Sequence, residues 1–140
     1  ALAYVLPPLR SNTDKKALQE GLQDGTIDAI CSHHEPLAKT AKQAPFAECK
    51  PGISNFDTFM GLACQLVKEG ILTPTQLVEK IALNPAKIAG IEASYHQTGG
   101  AVLVDPSLTW TVTKESMMSQ GKNTPFINSE LTGKVEQVYF

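Results

Sequence analysis

Ser32-His33-His34-Glu35-Pro36-Leu37 sets two imidazoles beside a carboxylate and is the most chemically suggestive run in the chain. A neutral imidazole accepts a proton near neutral pH, so His33 is a candidate general base. His33 and His34 are adjacent, and neighbours on a strand point to opposite faces, so the pair does not readily chelate one ion. Glu35 reads as a loop glutamate. It could act as the base only if the strand slipped by two residues, and such a slip would disturb core packing. Elsewhere, Arg10 could hold an anionic substrate in a bidentate pair or sit in a structural salt bridge. Pro51-Gly52 is either a backbone facing a ligand cleft or a plain turn. His96, in Tyr95-His96-Gln97-Thr98-Gly99, reads as exposed.

Cys31, Cys49 and Cys64 form no CxxC pair. An odd number at wide spacing argues against a disulfide framework and fits a reducing compartment, so a cytoplasmic location is expected. Cys31 lies in an apolar run and Cys64 on a helical apolar stripe. Both read as buried packing residues, not nucleophiles.

The elements that must position these residues come from a chain of 140 residues, enough for one domain with a core. Hydrophobic residues make up 42% and charged residues 19%, the balance of a globular protein. The net charge is −2 and no basic run occurs, so a nucleic-acid partner is not expected. No apolar stretch approaches the roughly 20 residues of a membrane helix. The start lacks the pattern of a signal peptide. It reads as the end of a strand, which suggests a piece of a longer protein.

Ala1 to Val5 is apolar and stops at Pro7-Pro8. Residues 11–24 read as a helix capped by Ser11 or Thr13, with Ala17, Leu18 and Leu22 on its apolar face and Gly25 at its end. Thr26 to Cys31 is a short buried strand, which suggests a βαβ unit. Lys39 to Gly52 is a polar loop. Residues 55–69 form a helix with Phe56, Phe59, Met60, Ala63, Cys64, Leu66 and Val67 at helical spacing. Thr73-Pro74-Thr75-Gln76 is a capping box opening a helix through Ile81, and Asn84-Pro85 opens another that Gly90 ends. Beyond it, Ala101 to Val104, Trp110 to Val112 and Val135 to Phe140 read as strands. Asp105-Pro106-Ser107 is a turn between the first two, and residues 119–133 form a loop before the third.

Several of these runs, in this order, resemble the dihydroorotases, metal-dependent amidohydrolases of pyrimidine synthesis. Leu6-Pro7-Pro8-Leu9-Arg10-Ser11 is similar to the family's N-P-P-L-R-S, and residues 32–37 to its T-D-H-A-P-H. Glu20 to Asp28, Pro45-Phe46, Pro51-Gly52-Ile53, Asn84-Pro85-Ala86-Lys87-Ile88, Val102 to Pro106 and Gly121 to Phe126 continue the match. The resemblance implies an α/β chain, the C-terminal portion of a (β/α)8 amidohydrolase barrel followed by a small β module. Residues 1–91 would be the last βα units and 92–140 the β domain. A whole barrel takes about 250 residues.

By the same resemblance, His33 stands where the family has its catalytic aspartate, Leu37 where it has a substrate-contacting histidine, and Leu6 where it has an asparagine. Arg10, Pro51 and Gly52 remain as candidate substrate-binding residues, and no catalytic residue is assigned. In the family, zinc-bound hydroxide attacks the ring carbonyl of dihydroorotate while the aspartate moves the proton. The family's H-x-H and further ligands have no counterpart here, so no metal is expected in this chain. The implied function is a noncatalytic dihydroorotase-like protein that assembles with aspartate carbamoyltransferase, with self-association also expected. The alternative is an active zinc-dependent dihydroorotase whose metal ligands lie in an absent N-terminal part.

Overall fold

The computed structural model describes residues 2–91 and 100–139. Helix α1, Asn12–Asp24, begins where expected. The Ser11 side chain accepts from the Asp14 N–H, and Asp14 returns the bond to the Ser11 N–H, closing a capping box. Ala17 and Leu18 are exposed, so the predicted apolar face is buried only in part, at Leu22. Leu2 to Val5 joins no ladder among the described residues, although the Tyr4 carbonyl accepts from the Gly52 N–H at 2.9 Å.

Residues 26–31 bend at Thr26 and Ile27 and form no strand, which corrects the expected strand and its βαβ unit. A parallel strand needs a neighbour to take its N–H and C=O groups, and no neighbouring strand lies among the described residues. Helix-borne groups take them instead. Lys80, buried, donates its ammonium to the Ile27 carbonyl, and the Lys80 carbonyl accepts from the Ile30 N–H at 2.9 Å. Asn84 Nδ2 donates to the Asp28 carbonyl at 2.9 Å. Cys31 is consequently exposed, not buried as its apolar surroundings suggested.

The 39–52 segment is a loop holding two short 3-10 turns, Lys39–Lys42 and Phe46–Glu48. Helix α2, Phe56–Lys68, follows. Phe56, placed by its spacing on the apolar stripe, is 69% exposed and meets His34 edge to face at 5.8 Å. Helix α3, Pro74–Val78, opens on the predicted capping box, with the Thr73 side chain accepting from the Gln76 N–H. The chain then runs without a break through a π-helical stretch, Glu79–Leu83, into α4, Asn84–Ile88. Ala63, Leu72 and Leu77 form the core here, with Leu22, Ile30, Leu66 and Ile81 against them.

The second half is an antiparallel ribbon of β1, Ala101–Thr111, and β2, Glu130–Tyr139. The predicted Asp105-Pro106-Ser107 turn is a bulge inside one strand. Pro106 has no N–H for the ladder. Asp105 Oδ1 gathers the local donors instead, accepting from the Ser107 N–H at 2.7 Å and the Leu108 N–H at 3.2 Å. The preceding loop ends at Ser129, and Gly133 belongs to β2, so that boundary also moves. Helix α2 packs on β2 through small residues, Gly61 and Cys64 against Leu131 and Gly133. Residues 92–99, with the His96 turn and the far side of the expected domain boundary, lie outside the described residues, as do Ala1 and Phe140.

Candidate functional site

Three segments distant in sequence meet at the 32–37 motif. The first is the motif itself, joined to the 51–54 loop by a parallel bridge between His34 and Ile53. The Glu35 N–H donates to the Ile53 carbonyl at 2.9 Å. The second is the start of α2. His34 Nδ1 accepts from the N–H groups of Asn55 at 3.1 Å and Phe56 at 3.0 Å. A histidine from another segment thus caps a helix whose own N-cap residue makes no side-chain cap bond. Accepting at Nδ1 places the imidazole proton on Nε2. Asn55 Nδ2 donates to the Ser32 carbonyl at 2.9 Å, so the motif and helix hold each other.

The third segment, 117–124, comes from the loop between the two ribbon strands. Asn123 is 4% exposed and reaches both the motif and the 51–54 loop. Its Oδ1 accepts from the Leu37 N–H at 2.7 Å, and its Nδ2 donates to the carbonyls of Glu35 at 3.0 Å and Gly52 at 3.1 Å. Its own carbonyl accepts from the Ser54 N–H at 3.0 Å. Gly121 presses against the motif's backbone so closely that a Cβ there would lie 2.6 Å from the Leu37 nitrogen. At the other end of the segment, Asp57 Oδ1 accepts from the Met118 N–H at 2.6 Å, and the Ser119 hydroxyl donates to Oδ2. Burial works against the Asp57 charge. Hydrogen bonds from the Ser119 hydroxyl and the Met118 and Ser119 N–H groups outweigh it and hold the carboxyl below the usual aspartate range.

His33 sits at the exposed edge of this knot with its backbone in the left-handed region, φ 44°. Its Nε2 is 3.8 Å from Glu35 Oε1, and both side chains face solvent, 57% and 42% exposed. The Glu35 side chain thus stays at the exposed edge the loop reading expected, while its backbone is anchored to Ile53 and Asn123.

Gly52 is buried, with φ 126°. Both of its backbone polar groups are committed, the N–H to Tyr4 and the carbonyl to Asn123. Pro51 beside it is half-buried. Arg10, just before α1, has Nε 3.6 Å from Asp14 Oδ2, and its side chain is 70% exposed. Cys64 is buried beneath β2, and burial pushes its thiol pKa up, as suits a packing residue.

The described residues do not by themselves form a set that suits a zinc ion. Among the described residues no group of three or more His, Cys, Asp or Glu side chains converges closely enough to hold a metal. His34 Nδ1, one of the few imidazole nitrogens near the motif, is already spent on α2. No described helix is long and apolar enough to cross a membrane.

Asn123, Asp57, Asn84 and the capping role of His34 were not assigned from the sequence. Asn84 and Asn123 lay within recognised motifs, but hydrophobic periodicity carries no information about polar side chains that bridge loops.

Comparison with known proteins places this geometry. No family model matches the chain. It is 44% identical over 134 residues to a dihydroorotase of Syntrophus aciditrophicus, covering 94% of this chain and 32% of that protein. It is 39% identical over 138 residues to a dihydroorotase-like protein of Pseudomonas aeruginosa, again covering 32% of it. The chain thus spans about a third of the length of these curated relatives. A solved D-hydantoinase superposes with a TM-score of 0.84 at 23% identity, covering 99% of this chain and 33% of that one. An inactive dihydroorotase-like domain of a Chaetomium thermophilum CAD-like multifunctional protein superposes with a TM-score of 0.63 at 23% identity, covering 94% of this chain and 35% of that one. In sequence the chain is a homologue of dihydroorotases over most of its length, and its fold resembles that of about a third of the D-hydantoinase chain.

Proposed function

We propose that this chain is the C-terminal part of a dihydroorotase-like protein of pyrimidine biosynthesis that does not turn over dihydroorotate. In this reading the protein is cytoplasmic and serves as a structural partner of aspartate carbamoyltransferase. Residues 1–91 supply the end of the barrel and 92–140 the small β domain. The observation that carries the reading is His33. It occupies the position of the family's catalytic aspartate, and its side chain leans toward Glu35 at an exposed edge. Two details support it. The Gly52 N–H, a candidate ligand contact, is bonded to Tyr4, and Leu37 offers no polar side chain. That inactive proteins of this fold exist is illustrated by the Chaetomium thermophilum domain. A barrel with its chemistry removed keeps its fold as a surface, since function resides in sites grafted on folds.

The test is co-expression of the intact protein with the transferase of the same source, followed by size-exclusion chromatography. Co-elution, with transferase size or activity reduced when the protein is omitted, is the expected result. A transferase that reaches full size and activity alone and never co-elutes would reject the partnership.

A further inference from the structure

One lone pair on the His34 ring holds the start of α2 to the motif. Nδ1 accepts from the N–H groups of Asn55 at 3.1 Å and Phe56 at 3.0 Å. A helix start leaves such groups without partners inside the helix, and α2 supplies no side-chain cap of its own. Only the neutral imidazole can take this role. Once protonated, both ring nitrogens carry hydrogens and accept nothing, so turning the ring over recovers neither bond. The added charge would also stand at the positive end of a 13-residue helix. The same turn carries the other ties of the join. Asn55 Nδ2 donates to the Ser32 carbonyl, the Thr58 hydroxyl donates to Asn55 Oδ1 at 2.9 Å, and Asp57 holds the 118–119 backbone.

We propose that His34 is a proton-operated latch between the motif and α2, closed while its imidazole is neutral and released when the ring takes up a proton. Release frees the first turn of α2 and, through Asp57, loosens the 118–119 backbone. The opened form takes up the proton without losing a bond, and the closed form does not. The latch is therefore complete above about pH 6.5, the ordinary histidine value, and weakens as the pH falls below it. The ionisable groups on the elements packed here are His33 and Glu35 of the motif, the Cys31 thiol just before it, Asp57 in the first turn of α2, and Lys122 of the 117–124 segment. The 51–54 loop has none. His33 and Glu35 face each other at the exposed edge, Cys31 Sγ accepts from the His33 N–H, Asp57 is bonded to Met118 and Ser119, and Lys122 donates to the Met117 carbonyl. Among the described residues no carboxylate is paired with His34, so an imidazolium there finds no ion pair already in place. The latch does not depend on whether the intact protein turns over substrate.

The experiment is hydrogen exchange on the intact protein, read as protection of the Asn55 and Phe56 amides relative to free-peptide rates at each pH. Ring-nitrogen shifts of His34 follow its protonation in the same samples. Between about pH 7.5 and 5, a window above the ordinary carboxylate values, both amides should lose about fivefold or more of their protection, the size of an ordinary helix cap. The loss should run in step with protonation of the His34 ring, while the Ala63 amide inside α2 keeps its protection. His33→Ala should behave as the wild type. His34→Asn, whose acceptor does not titrate, should show no such loss. Constant protection of both amides in the wild type would overturn the proposal, as would a loss that persists in folded His34→Asn. A loss that does not track the His34 ring would overturn it as well, and the wild type alone decides that point if His34→Asn does not fold.

Discussion

Asn123 Oδ1 accepts a hydrogen bond from the Leu37 N–H at 2.7 Å, across 86 positions of sequence. Through that side chain the loop between the two ribbon strands helps hold the 32–37 motif in shape. The ribbon is thus part of the same structural unit as the candidate site, and disturbing one should disturb the other.

Asn123→Ala should destabilise the intact protein by about 2–4 kcal/mol, because each buried group left unsatisfied costs about 1–3 kcal/mol and the losses are not fully additive. Asn123→Asp keeps an acceptor for Leu37 but sets a carboxylate against the Glu35 and Gly52 carbonyls, and should cost at least as much. Urea unfolding measures the loss, and hydrogen exchange at the Leu37 amide localises it. Unchanged stability with unchanged Leu37 protection would show that the knot is not held by this residue.

His34→Ala removes the acceptor for two N–H groups at the start of α2. The expected loss is about 0.5–2 kcal/mol, the usual range for a helix N-cap. His34→Asn, which can still present an acceptor, should recover part of it. Equal stability of all three proteins would remove His34 from the account.

Asp57 gives the fold a defined acid dependence. Its carboxyl is held below the ordinary aspartate value of about 3.9, so the folded state favours the charged form. The stabilisation is complete above that value and is lost as pH falls through the lower folded value. Asp57→Asn should therefore lower stability near neutral pH and flatten the acid limb of the stability–pH curve. An acid limb as steep in the variant as in the wild type would contradict this.

Neither His33→Ala nor His34→Ala should alter the metal content of the intact protein, since the motif offers no converging ligand set. Elemental analysis of the three proteins decides it. Loss of one zinc per chain in either variant would place a ligand where none is assigned.

The helices were legible because their ends carry local signals. Ser11 with Asp14 and Thr73 with Gln76 are capping boxes that act within one turn. No strand forms at 26–31 because an apolar run reports burial in a complete sheet, and pairing depends on segments that a local pattern does not contain. Cys31 and Phe56 failed for the same reason, their apolar character being uncovered here. The motif's position was legible from its residue types. Its support was not, because Asn123, Asp57 and Asn84 act across 61 to 88 or 56 positions through single polar groups.

The most direct test of the central claim is the ring-opening rate of L-dihydroorotate with the intact protein, compared with its His33→Ala variant. The account predicts a rate at background for both. Clear turnover by the wild type, abolished in His33→Ala, would show that a histidine has taken over the work of the family's aspartate and would contradict the noncatalytic reading.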